Sequence, residues 1–244
     1  MIFANSVGVE MKKILLRRKY YILLFGELAI AGLIVFFTSS FEIVLLGFTF
    51  DLPGVPYLIL NALMVFVLPL MIFMLCADVF TNEIETGMLK AVLLRPINRF
   101  TVFVTKFLAI VLYVYLHLIA VCTVVLVIRT MQGSRVDLFA ILAAYSIAIL
   151  PMTAFIAFST LISLMVKNSS LAMYISMILY FVMQGISVVS TTIGAMFFTS
   201  HIGVHRMILS ENPPAALTNT LLLLLSSIVF MSVLAFWLFD RKEL

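Results

Sequence analysis

Six apolar runs, each nearly free of charge, limit what this chain can fold into. They cover about residues 21–38, 57–77, 101–128, 138–166, 171–189 and 217–239 of 244. A helix rising about 1.5 Å per residue needs about 20 such residues to cross the ~30 Å hydrocarbon layer of a bilayer. Backbone N–H and C=O groups find no water there, and runs of this length satisfy them by coiling into helices. Composition agrees, with 64% hydrophobic and 11% charged residues and a mean hydropathy of +1.25; a soluble domain carries about a quarter charged residues. The expected fold is all-α and integral to the membrane, a single transmembrane domain over residues 1–244 with no soluble catalytic domain.

The flanks refine this expectation. In residues 5–20, Val7, Met11, Ile14, Leu15 and Arg18 share one helical face, with Lys12, Lys13, Arg17 and Lys19 elsewhere. Such a segment suits a helix lying on an anionic membrane surface, and equally a basic flank that fixes topology. Ser39-Ser40-Phe41-Glu42 is a poor cleavage site, so the first run reads as a retained span rather than a signal peptide. Residues 190–216 are too polar for a span and too apolar for a free loop, which suggests short helices in the outer interface. Pro69, Pro151 and Gly185 fall inside spans, where kinks are tolerated. Cys76 and Cys122 lie in apolar runs and are expected to act as unpaired small hydrophobes.

Six spans place both termini on one side. Twelve of the fifteen Lys and Arg residues then fall on that side, and Arg129, Arg135 and Arg206 on the other. The positive-inside rule makes the richer side cytoplasmic. The densest charge lies there, in the stretch from Asp78 to Lys106. Asn82 is placed to cap a helix, with Glu85 three residues on to answer it. Glu83 and Glu85 suit a first turn. Ile84, Met88, Ala91, Val92 and Leu93 form an apolar stripe, and Pro96 ends the helix and restricts Arg95. The expectation is a short amphipathic helix between spans two and three, with a solvated topogenic loop as the plainer reading.

This stretch resembles the signature of ABC-2 type transporter permeases: an acidic pair, Thr-Gly, an apolar turn, Arg-Pro, a further arginine, and a lysine leading into span three. Those roles fall on Glu83, Glu85, Gly87, Leu89, Leu93, Pro96, Arg99 and Lys106. The order of the whole chain is similar too, from a basic interfacial helix through six spans to a short cytoplasmic tail. The resemblance implies a permease of the cell inner (plasma) membrane with both termini cytoplasmic. It implies no cofactor in this chain, with ATP and Mg bound by a separate soluble ABC ATPase subunit. A second permease chain, identical or related, and membrane lipid complete the implied partners; nucleic acid does not enter. No phosphate-cradling Gly-x-x-x-x-Gly-Lys-[Ser/Thr] occurs in the sequence. Glu83, Glu85, Gly87, Met88 and Leu89 are the implied ATPase contacts, and Pro96, Arg99 and Lys106 the implied coupling lever. The cargo class implied is amphipathic or hydrophobic: a peptide antibiotic, a drug or a lipid-like molecule.

Glu27 lies inside span one, where a carboxylate is costly and usually paired or functional. Lys106 sits at similar depth, so an intramembrane Glu27–Lys106 pair is expected, with Asp78 as the competing partner. His201 and His205 share a helical face near Glu211 but lack a third ligand at a telling spacing, so no metal site is expected. His117 is isolated in sequence, and no catalytic dyad is apparent, which disfavours an intramembrane enzyme. An ion-gradient-driven secondary transporter or channel is the alternative to the exporter, although no internal repeat is evident.

Overall fold

The computed structural model describes residues 2–40, 44–45, 48–49, 55–93, 98–131, 137–205 and 214–242. Helix α1 spans Ile2–Leu15 and α2 spans Arg18–Ser40. The following link holds a minimal antiparallel pairing, Val44 with Thr49 and Leu45 with Phe48. The second long helix is built from α3 (Val55–Ala62), α4 (Leu68–Cys76) and α5 (Asn82–Glu85), joined through wide π-turns at Leu63–Val67 and Ala77–Thr81. Then come α6 (Met88–Leu93), α7 (Arg99–Met131), α8 (Leu138–Ile147) and α9 (Ile149–Met165). Helices α10 (Ser169–Val189), α11 (Thr191–Gly194) and α12 (Pro214–Arg241) close the chain. Among the described residues, six helical stretches are long and apolar enough to cross a membrane.

Proline explains two irregularities of the spans. Pro69 has no N–H to offer the Val65 carbonyl four residues back. A π-turn precedes it, and the Tyr180 hydroxyl donates to that carbonyl at 2.6 Å. In the fourth span the helix breaks at Ala148, three residues before Pro151, so α8 and α9 are separate segments.

Helix α9 is the centre of the bundle. Residues 154–160 are all buried, so it is covered on every side. Helices α4, α10 and α12 pack along it, and α7 joins it to the α1–α2 pair. The first, fifth and sixth spans are much less covered than the second, third and fourth. Their outer faces carry Ile22 and Phe25, Ile178 and Val182, and Val229 and Phe230, the apolar surface a bilayer or a partner helix would cover. Cys76 and Cys122 are buried free thiols, as expected.

At one end, hereafter the charged end, the helix termini close on one another. Lys242 donates to the Leu164 carbonyl at 2.7 Å, at the C-terminus of α9. Arg99 donates to the Asp240 and Lys242 carbonyls at 2.6 and 3.3 Å, at the C-terminus of α12. Both contacts put a cation where a helix leaves carbonyls without partners. The N-terminus of α10 is capped by Asn168, whose side chain accepts from the Leu171 N–H.

Between α5 and α6 the chain turns at Gly87, whose φ is +71°. This is the left-handed residue that commonly ends a helix, and its N–H donates to the Ile84 carbonyl. A side chain there would meet no atom within 4 Å, so any penalty on substitution is one of backbone conformation. Gly87→Ala should lower stability by about 1–2 kcal/mol, and Gly87→Asn, which tolerates this conformation, by less. Thermal unfolding of both variants in nanodiscs checks the order; an equal loss would show that space decides there.

Candidate functional site: a buried charge cluster at the charged end

Lys106 lies in the second turn of α7 and is completely buried. A lone ammonium so placed would lose several kcal/mol of hydration with nothing in return. Here Nζ meets Oε2 of Glu83 at 2.5 Å and Oε2 of Glu10 at 3.3 Å. Lys13 joins the same carboxylates, at 2.9 Å from Glu10 and 3.8 Å from Glu83. Two cations and two anions from α1, α5 and α7 thus make a neutral cluster. Burial pushes the Glu10 carboxyl up, but Lys106 and Lys13 outweigh it and hold the group below its ordinary value.

A second cluster lies alongside. Asp78, on the π-turn Ala77–Thr81, is paired with Arg17 at 3.1 Å and with Lys19, and accepts from the Tyr20 hydroxyl at 2.5 Å. The α1–α2 corner is therefore held to the second span by charge. Tyr113 of α7 donates to the Tyr20 carbonyl at 3.2 Å. One turn deeper, His117 Nδ1 lies 2.5 Å from Glu27 Oε2, and its ring is 4.7 Å from that of Tyr113. Lys106, Tyr113 and His117 stand at i, i+7 and i+11, one face of α7. A polar seam thus runs into the bundle between α2 and α7.

These contacts correct several expectations. Glu27 and Lys106 do not pair. The residues that engage them on α7, His117 and Lys106 itself, are eleven apart, about 16 Å along the helix axis. Lys106 is neutralised by Glu83 and Glu10, and Glu27 is hydrogen-bonded to His117, which is not isolated in space. Asp78 is drawn to the α1–α2 corner instead. Asn82 does not cap a new helix: Thr81 has helical angles, and no side chain caps α5. The span simply continues to Glu85. Glu83 is accordingly buried at its end, and Leu89 is buried too. Glu85 is exposed, and its carboxylate accepts from the Ser169 N–H at 3.1 Å and Asn168 Nδ2 at 3.4 Å, binding this segment to the start of α10. Met88 and Lys90 are exposed. Pro96 lies outside the described residues, as does Glu211. Arg99 secures the end of α12 as described above.

Helix α1 is docked on α7 through Ile14 and Glu10. Glu10 was missed in the sequence, although it stands out as the sole carboxylate among the basic residues before Glu27. Asn168 was missed as well, although an Asn before an apolar run is a capping signal. His201 Nδ1 donates to the Phe197 carbonyl. Among the described residues no three His, Cys, Asp or Glu side chains gather as metal ligands would.

Removing one partner of a buried ion pair leaves the other charge uncompensated. Lys106→Met should cost about 3–5 kcal/mol. Glu83→Lys combined with Lys106→Glu should recover much of what each single reversal loses, whereas Glu27→Lys with Lys106→Glu should recover nothing. Unfolding in nanodiscs measures both; rescue by the second exchange alone would overturn the assignment. Because Glu10 is held below its unfolded value, its contribution is complete at neutral pH. It is lost as pH falls through and below the ordinary carboxylate range. Glu10→Gln should therefore flatten the acid limb of the stability profile.

No curated protein matches the chain. A family model matches residues 28–244, from just after Glu27 to the last residue. The chain belongs to the family described as a protein of unknown function, DUF2705.

Proposed function

We propose that the chain is the permease subunit of an ATP-driven exporter of the ABC-2 type, sitting in the plasma membrane with both termini cytoplasmic. Its charged end would receive force from a soluble ATPase that binds ATP and Mg, and a second permease chain would complete the path. The cargo expected on this reading is amphipathic or hydrophobic. One observation carries the proposal. The segment after the second span presents Glu85, Met88 and Lys90 outward, while its inner side is tied by Glu83 and Leu89 into the bundle. A push on α6 would pass through α5 to Lys106, and from there to α1 and the first span. The resemblance of residues 78–106 to permease signatures and the cationic charged end support the same assignment.

The site residues divide accordingly. Glu85, Gly87 and Met88 form the docking turn, and Glu83, Leu89, Arg99 and Lys106 transmit. Co-purification tests this division. Met88→Glu with Lys90→Glu should abolish capture of the ATPase, whereas Glu83→Gln should leave capture intact and reduce cargo-stimulated ATP hydrolysis. A stable complex indifferent to the docking turn would contradict the proposal.

One observation favours the alternative, an ion-gradient-driven secondary transporter: the buried Glu27–His117 pair inside the spans. Intramembrane ionisable pairs often mark ion pathways. Transport that persists in ATP-free vesicles under an ion gradient, and is lost in Glu27→Gln, would select that reading.

A further inference from the structure

Two carboxamides interrupt otherwise apolar helices, Asn61 in α3 and Gln184 in α10. In hydrocarbon each is costly unless something answers its hydrogen-bonding groups. Neither is hydrogen-bonded to another described residue. They nonetheless converge, from helices 123 positions apart in sequence, on one cleft of about 510 Å³ in the half of the bundle away from the charged end. That volume is in the range of small-ligand sites.

The rest of the lining has the same chemistry. Ser187 and Ser200 join their hydroxyls at 2.8 Å, and Ser200 donates to the Gly194 carbonyl at 2.6 Å. Thr199, almost wholly buried in the wall, has an Oγ1 with no partner among the described residues. His201 spends Nδ1–H on the Phe197 carbonyl, which leaves Nε2 as the other polar atom of the ring. Among the described residues no Asp, Glu, Lys or Arg lines the cleft. Gly194 fixes its wall: a Cβ there would lie 2.7 Å from the Ser187 Cα, so only glycine lets the segment after α10 fold back this closely.

We propose that this cleft is a binding site for an uncharged, amide-bearing ligand. A carboxamide presents a donor and an acceptor side by side, the complement of a peptide group, and Asn61 and Gln184 supply two such pairs with further hydroxyls beside them. A charged group would find no counter-ion among the described lining residues. The ligand's amides come either from a peptide main chain or from a small free amide, and the chemistry at the cleft is the same. This inference does not rest on the ATPase, because binding is read on the isolated chain.

The full chain in nanodiscs is irradiated with an N-acetylated, C-amidated peptide of Ala and Gly carrying one photo-leucine, and the adducts are mapped by mass spectrometry. Labelling is expected in residues 184–203 and near Asn61. Competition by unlabelled capped peptide but not by N-acetylglycinamide identifies the main chain as source; competition by both admits a small amide. A peptide with a lysine at each flank of the photo-leucine should label at least about ten-fold less. Asn61→Leu with Gln184→Leu should cut labelling about ten-fold or more, the loss expected from removing two or more hydrogen bonds. Asn61→Gln should retain it. Equal labelling by the neutral and lysine-bearing peptides would overturn the proposal, a result that needs no variant to fold. So would undiminished labelling of the double leucine variant, or labelling of the cleft by photoactivatable phosphatidylcholine that capped peptide fails to displace.

Discussion

A buried ammonium with no water has to be answered by carboxylates, and the charged end of this protein is arranged around that need. Lys106 is inside the bundle, and its partners come from elsewhere in the chain: Glu83 from the end of the second span and Glu10 from α1. Among the described residues, Lys106 is the one fully buried cation that both carboxylates share. The three elements are therefore held by mutual necessity more than by the net strength of any one contact, since a well-made buried pair adds little over an apolar replacement while a broken one costs several kcal/mol. Lys13, half in water, closes the cluster electrically without bearing the same burden.

The same logic repeats along the seam and at the helix ends. Asp78 holds the α1–α2 corner with Arg17, Lys19 and Tyr20, and His117 answers Glu27 further in. Arg99 and Lys242 supply cations to helix C-termini, and Glu85 supplies an anion to the start of α10. Each contact joins parts of the chain far apart in sequence. The turn at Gly87 stands within this frame, with Met88 and Lys90 turned out and Leu89 turned in. If force enters at that turn, α5 and Lys106 are the route by which it reaches the first span.

The spans were legible because length and apolarity suffice to identify a helix that crosses a bilayer, and Pro151 marked the break in the fourth. The charged stretch was legible as a site but not as a geometry. Local rules placed a helix start at Asn82, because they cannot see that the second span continues through a π-turn and carries Glu83 inward. The pairing of Glu27 with Lys106 failed for a related reason: equal depth from a span's end does not say which carboxylate a lysine faces. Glu10 and His117 went unread because their partners are 96 and 90 residues away, and no spacing rule reaches that far. Asn61 and Gln184 are 123 positions apart, and only the fold brings them to one cleft.

The central claim is that Lys106 docks α1 onto the bundle. Amide hydrogen exchange of the full chain in nanodiscs tests it most directly, comparing the native protein with Lys106→Met. Loss of the shared cation should speed exchange across Ile2–Leu15 by about ten-fold or more, while the buried middle of α9, residues 154–160, keeps its protection. Unchanged exchange in α1, or an equal loss of protection across α1 and α9, would contradict it.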